Sequence, residues 1–321
     1  MFASASPRAR PHRVLWAALA LLATLVPQTT AHAAALVVHA GESIQAAVDA
    51  AEPGDVILVR PGLYTAPRGA QAVFRVQTDD LTLIGLAGAI IDAGGAPYAG
   101  WVGADLRPGT QGCPAEPAVR NFHMHGFTIQ HAKETGLRLA GVERYRLTKG
   151  VYQDNGDRGL RTVCSAHGRI DHNYAAGHRD AAISLGSDED TLVDWNVVSG
   201  NAIGIQVGNS LRAVVRHNLA VKNTAGIWVL VLPGRPIPRS LDVRIERNWI
   251  ADNNLSNPRA GEDSRVSRIP SGTGILNVGG DDVRIQHNVI RGNGTQGVAI
   301  LGNPLGLLGA DARLDPFVDG G

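Results

Sequence analysis

Two aspartates carry the strongest suggestion of chemistry in this chain. Asp157, in Asn-Gly-Asp-Arg-Gly, and Asp180, in His-Arg-Asp-Ala-Ala, stand 23 residues apart, and Arg158, His178 and Arg179 flank them. Carboxylates brought within about 5 Å on adjacent strands repel, which raises one pKa and separates a general acid from a general base. The same pair could instead hold a divalent cation such as calcium. His178 or Arg179 could take or give a proton during elimination or epimerisation of a uronate. The plainer reading has both aspartates capping turn amides and neutralised by Arg158 and Arg179.

Other side chains suggest binding. Two excursions, 232–240 and 256–271, carry Arg235, Arg239, Arg259, Arg265 and Arg268. A guanidinium fork suits a carboxylate, so Arg158, Arg161, Arg235 and Arg259 are candidate substrate contacts, against the alternative of a solvated loop charged for solubility. His125, Lys149, His172, Trp195, His217, Arg247 and His287 recur at one position of a repeat, and Trp195 could stack on a sugar ring, although the plainer and favoured reading of the column is an outward face tolerant of bulky polar residues. His123, His125 and His131 lack a further ligand at a zinc spacing, so no metal site is assigned. Asp188-Glu189-Asp190 reads as a turn of solvated acids or part of a calcium site. No nucleophile elbow, phosphate loop or dinucleotide fingerprint stands in a supporting context.

The element that must position these residues is the repeat itself, 22 to 24 residues long in its regular part. Its first Asn recurs as Asn173, Asn196, Asn218, Asn248 and Asn288, with Gly126 and Gly150 expected in the same slot. A second slot holds Asn155, Gly177 or His178, Asn201, Asn223, Asn253 and Asn293. Such a unit is too short to include a helix, and Val243-Arg244-Ile245 and Val283-Arg284-Ile285 alternate with strand periodicity. The expected fold is all-β: a right-handed parallel β-helix solenoid, one unit per coil, with Asn at the turns because it tolerates left-handed backbone and can bond its counterpart a coil away. Residues 41–51 read as an amphipathic helix that caps the open N-terminal end.

Arg8, Arg10 and Arg13 precede an apolar run from Val14 to Val26, and Ala31-His32-Ala33 supplies a cleavage site, so 1–33 is expected to be a secretory signal peptide. The signal holds three of 30 basic residues and none of 29 acidic ones, leaving 27 against 29, a net charge of −2. That balance argues against nucleic acid as a partner. One domain is expected over 34–321, with the cap and first coils at about 35–92, regular coils at about 119–302 and a tail or cap at 303–321. Export places Cys113 and Cys164 in an oxidising compartment, where a disulfide is the default and two buried thiols are the alternative. The mature chain is expected to be a secreted or periplasmic monomer with no membrane anchor.

The stretch GESIQAAVDAAEPGDVILVRPGLY closely resembles the N-terminal cap of the pectate-lyase-like right-handed β-helix superfamily. That superfamily includes lyases, epimerases, hydrolases, esterases, tailspike-type proteins and non-catalytic binders, so the resemblance implies fold far more than activity. Between about Asn173 and Ile300, NYAAGHRDAAISLGSD, GNAIGIQVGNS, TAGIWVLVLPGRP and NNLSNPRAGEDSRVSRIPSGTGI are similar to a bacterial family of parallel β-helix repeat proteins without an established activity. That likeness implies Tyr where Arg161 and Ser184 stand and Glu where Gln206 stands; these three positions depart from it. It also favours Asp180, which matches the family's Asp.

Two functional expectations result. One is a carbohydrate-active protein, a lyase or C5-epimerase rather than a glycoside hydrolase, acting on an acidic polysaccharide at Asp157, His178, Arg179 and Asp180. The other is a non-catalytic glycan binder or scaffold of the cell envelope, to which the low aromatic content, 5%, lends some weight. A metal-delivery role would need a compact metal site that the sequence does not offer.

Overall fold

The computed structural model describes Met1 and residues 33–106 and 112–302. The chain divides into two units, 1–32 and 33–321. Residues 2–32, which hold most of the expected signal peptide, and 303–321, the expected tail or cap, lie outside the described residues.

In the second unit three long parallel sheets, of ten, nine and nine strands, run through successive coils, and each strand inside a sheet pairs with its counterparts one coil before and after. One coil shows the plan: Arg169–Asp171 lies in the first sheet, Tyr174–Ala176 in the second and Ala181–Gly186 in the third. The next repeats it with Leu192–Asp194, Val197–Ser199 and Ile203–Gly208. Ile170, Ala175, Ile183 and Leu185 stack in register on Val193, Val198, Ile205 and Val207, all buried in one continuous core. Each such Ile, Val or Leu stabilises the fold by about 1.5–3 kcal/mol, and a coil has only its neighbours to bury it against.

Two buried ladders turn the corners. Along the first, Asn196 Nδ2 donates to Asn218 Oδ1 at 3.0 Å, and Asn196 Oδ1 accepts from the Asn173 backbone N–H at 3.0 Å. Along the second, Asn201 Nδ2 donates to Asn223 Oδ1 at 2.9 Å. The left-handed backbone falls on the residue before the first-ladder Asn: Lys149, His172, Trp195, His217, Arg247 and His287 all have φ of 52–57°. This corrects the expectation that Asn itself supplies that conformation. The Asn side chain must turn inward to satisfy backbone groups, so its neighbour absorbs the bend.

Register corrects a second expectation. Thr128 pairs with Val151 and His125 with Thr148, so Phe127, not Gly126, stands opposite Gly150 in the Asn slot, and His125 falls outside the column of Lys149. Phe127 fills the corner with a buried ring over Gly85, where a Cβ would come within 2.8 Å of it. A third ladder, of Ser165, Asp188, Ser210 and Ser240, lines the remaining corner.

At the N-terminal end, strand Ala35–Val38 leads to a helix, Ile44–Ala50, in which Ser43 Oγ accepts from the Ala46 backbone N–H and Ile44 and Val48 join the core. The excursion 256–271 folds back onto the outside of the third sheet. There Val266 and Ile269 pack on Ile203, Ala225, Trp228 and Leu276, forming a second apolar cluster outside the solenoid core. Cys113 and Cys164 form a disulfide with Cα atoms 5.3 Å apart.

Candidate functional site

A strand of the third sheet alternates between residues sealed in the core and residues facing out. The outward row runs in register from Trp101 through Arg138, Arg161, Ser184, Gln206, Trp228 and Leu276 to Ala299, one residue per coil. Arg161, Ser184 and Gln206, the three departures from the similar family, are therefore consecutive steps of one row. With a step of about 4.8 Å, they form a track suited to an extended chain.

From Trp101 to Trp228 the row floors a cleft of about 920 Å³. Leu232, Arg235 and Pro236 from one excursion, and Arg259, Arg265 and Val266 from the other, wall it. At its near end the Arg138 guanidinium lies 4.9 Å from the centre of the Trp101 ring and 5.6 Å from that of Tyr98, and donates to the Leu106 carbonyl oxygen.

Both candidate carboxylates stand in this cleft, and both are paired. Asp180 accepts from Arg158, and Asp157 accepts from Arg259, which also donates to Glu262 at 2.9 Å. The Asp180 backbone N–H donates to the Asp157 carbonyl oxygen at 2.8 Å, so the expected equivalence of the two positions holds in the register. The pairing differs from the plainer reading in one partner: Arg259, 102 residues away, neutralises Asp157, whereas Arg179 is turned outward to Glu262.

Three further cations of the cleft lack such partners. Among the described residues the guanidiniums of Arg161, Arg235 and Arg265 form no hydrogen bond or ion pair. Burial pushes the Arg161 guanidinium down to about 9, and repulsion from Arg158, Arg138 and Arg235 adds to it. Burial also lowers Arg235, helped by repulsion from Arg265 and Arg158; it lowers Arg265 too, where Asp180 opposes the shift. Three buried atoms of cleft residues, Arg158 Nε, Asp180 Oδ1 and Trp228 Nε1, have no hydrogen-bond partner. Buried polar atoms rarely stay unpaired, which sets these three apart from the rest of the cleft.

Three expected residues lie elsewhere. His178 occupies the second-ladder slot, only 2% exposed: Nδ1 donates to Asn201 Oδ1 at 2.7 Å, and Nε2 accepts from Asn155 Nδ2 at 3.3 Å. Burial drives its pKa down to about 4. It is a neutral structural imidazole behind the corner and cannot reach the cleft. Arg179 sits on the rim, where its carbonyl oxygen accepts from Arg259 Nε at 3.0 Å. Trp195, 54% exposed, stacks between His172 and His217 at ring separations of 6.4 and 4.7 Å on the corner between the first and second sheets.

The acidic run is not uniformly solvated. Asp188 is fully buried in the third ladder, accepting from the Ser165 backbone N–H at 2.8 Å and from Thr162 Oγ1, and burial raises its pKa to about 7. Glu189 and Asp190 both accept from Arg212 outside. Among the described residues no three His, Cys, Asp or Glu side chains are grouped to hold a metal ion, and no helix is long and apolar enough to cross a membrane. Sequence reasoning missed Trp228, Gln206 and Ser184 as floor residues; each stands one position after the repeat's Gly-Ile, Gly-Ile or Ala-Ile, a signal that could have found them.

Several solved structures share the architecture. The A-module of mannuronan C-5 epimerase AlgE6 from Azotobacter vinelandii aligns at 17% identity and a TM-score of 0.58, covering 81% of this chain and 75% of that one. An alginate lyase from Paenibacillus sp. str. FPU-7 aligns at 14% identity and 0.53, covering 80% and 95%. The Dettilon tailspike protein gp208 aligns at 14% and 0.51, covering 83% and 55%. Such low identities carry the fold alone. No curated protein sequence matches this chain. Residues 118–305 match the family described as "Right handed beta helix region", and the chain belongs to that family.

Proposed function

We propose that this chain is an exported carbohydrate-active protein that draws an acidic polysaccharide into the basic cleft and removes the proton alpha to a uronate carboxylate, by lyase or C5-epimerase chemistry. The observation that carries the reading is the union, in one cleft, of a carboxylate pair with guanidiniums that have no partner of their own. Uronate-acting neighbours with the same fold, an epimerase and a lyase, are consistent with it.

Arg161 and Arg235 take the uronate carboxylate and neutralise the charge that grows on it as the C5 proton leaves. Asp180 is the proton acceptor, with Arg158 orienting it. Elimination then breaks the C4–O4 bond as the C4–C5 double bond forms, and the departing oxygen takes a proton from water; epimerisation instead returns a proton from water to the opposite face of C5, and in both cases Asp180 releases the C5 proton to solvent. Asp157, held by Arg259, ties the second excursion across the cleft. His178 and Arg179 drop out as proton carriers because one is sealed in the ladder and the other faces Glu262.

A second reading, a non-catalytic glycan binder, is favoured by the engagement of both carboxylates with arginines. Incubation on a panel of uronate polysaccharides, with and without calcium, separates the two: unsaturated product or changed C5 configuration, abolished in Asp180→Asn, supports catalysis. Saturable binding with no change in the polymer supports the binder.

A further inference from the structure

The floor row is not an open track along the whole third sheet. The excursion 232–240 leaves the end of strand Ala225–Leu230, and the excursion 256–271 returns before the start of strand Thr273–Val278, so the two come from opposite edges of that sheet. They meet over its outer face. Leu232 from the first, and Val266 and Ile269 from the second, belong to one buried apolar cluster with Trp228, Leu230 and Leu276. Trp228 and Leu276, the next two residues of the row after Gln206, are only 3% and 6% exposed. The row is therefore closed from Trp228 onward, and Arg259 carries the second excursion along one flank to Asp157. Among the described residues the opposite end differs. There the row runs out to Arg75, which is exposed with its guanidinium 4.7 Å from the centre of the Trp101 ring, and the exposed Gln71 and Glu134 line the cleft.

A stretch from the middle of a polymer needs an exit on both sides of the residue being bound, whereas a chain end needs only one. We propose that the cleft receives one end of a polyuronate chain along the floor row, with Trp228, Leu232 and Val266 as the stop that fixes how far it enters. Asp180 immediately precedes the strand that carries Ser184, and two coil steps, about 10 Å, separate Ser184 from Trp228, room for roughly two sugar rings beyond the carboxylate. A uronate pushed further would strand its charge among apolar side chains, so the wall excludes it by chemistry as well as by shape. The inference rests on reading the cleft as a glycan site and adds that this site takes chain ends, not chain interiors.

The test is calorimetric titration of the full chain with short, intermediate and long fractions of one polyuronate, at about 0.15 M salt, where loose surface attraction is screened. One protein per chain is expected at every length. Where the protein turns the polymer over, short products of a single size should accumulate while the viscosity of the long fraction holds. The wall can be opened cleanly, because the Gly272 backbone N–H donates to the Asn253 carbonyl oxygen at 2.8 Å across the base of the second excursion. Removing 254–271 joins Asn253 to Gly272 and restores the spacing of Asn223-Thr224-Ala225-Gly226 in the coil before. The opened form should load several-fold more protein on each long chain. Val266→Ser with Ile269→Ser loosens the same wall at full chain length and takes its place if the excised form does not fold. Stoichiometry that rises with chain length in the parent, viscosity that falls ahead of product, or a limit of one per chain that survives in a folded opened variant overturns the chain-end inference and leaves the uronate reading standing. Failure of every fraction to bind a correctly folded protein overturns both.

Discussion

Arg158 and Asp180 are joined by an ion pair across one step of the solenoid, yet Arg158 Nε and Asp180 Oδ1 are both buried without a partner. The two side chains are only 19% and 6% exposed, so the pair holds charge in a poorly solvated place. Replacing one member strands the other's charge, a change that costs about 3–5 kcal/mol where such pairs are well buried. Asp180→Asn is therefore expected to lower the melting temperature as well as to remove any turnover. Adding Arg158→Met should recover much of the melting temperature but none of the turnover. Full recovery of turnover in the double variant would remove Asp180 from the chemistry.

His178 gives the fold a pH dependence of definite sign. Its folded pKa is about 4 against an ordinary 6.5. The unfolded chain therefore binds the proton first as pH falls, and stability is complete above 6.5 and declines between 6.5 and 4, by up to about 3 kcal/mol. Asn fills the same slot at 201, 223 and 253 and can accept from Asn155 and donate to Asn201 without titrating. Melting curves between pH 7.5 and 4 should show His178→Asn losing less stability than the parent over that interval. Parallel curves would mean the imidazole is not sealed.

Asp188 acts in the opposite direction. Burial lifts its folded pKa to about 7 from 3.8, so its protonated form is favoured in the fold. Its contribution is fully present below 3.8 and is lost as pH rises through 7. Asp188→Asn keeps an oxygen for the Ser165 N–H and supplies an N–H toward Thr162. The variant should melt higher than the parent at pH 8, by an amount worth about 2–4 kcal/mol, and at nearly the same temperature at pH 4. A variant less stable at pH 8 would show that the charge is compensated after all.

These two residues also mark how far the sequence could be read. Coil period, core and the first two ladders were legible because Asn and Gly-Ile recur at a fixed spacing, and spacing is what stacking copies from one coil to the next. The equivalence of Asp157 and Asp180 followed from the same arithmetic. Direction within a turn did not. Whether His178 points into the ladder or toward the cleft depends on which corner residue takes the left-handed bend, and Gly177, with φ of 81°, takes it here. The contact between Asp157 and Arg259 was hidden because an excursion has no register with the coils; its return over the third sheet is decided by Val266 and Ile269 finding Trp228 and Leu276. Ser and Asp in the third ladder were missed because Ser165, Asp188, Ser210 and Ser240 do not share one residue type.

The disulfide ties cleft geometry to fold stability. Cys113 and Cys164, 51 residues apart, hold the segment before Val119 to the end of the strand that carries Arg161, and Leu106 in the same connection accepts from Arg138. In the loop-closure account a crosslink of that span contributes about 4 kcal/mol. Cys113→Ser with Cys164→Ser should therefore lower the melting temperature. Because Arg138 and Arg161 are neighbours in the floor row, it should also weaken binding of an acidic polysaccharide at a temperature where the variant is still folded. The two effects are separable: a thiol reductant that reaches the exposed side of Cys113 should lower affinity in the parent and leave the double variant unchanged. If reduction lowers the melting temperature while affinity stays constant, the segment anchors the solenoid but does not shape the cleft, and recognition rests on the floor row and the two excursions alone.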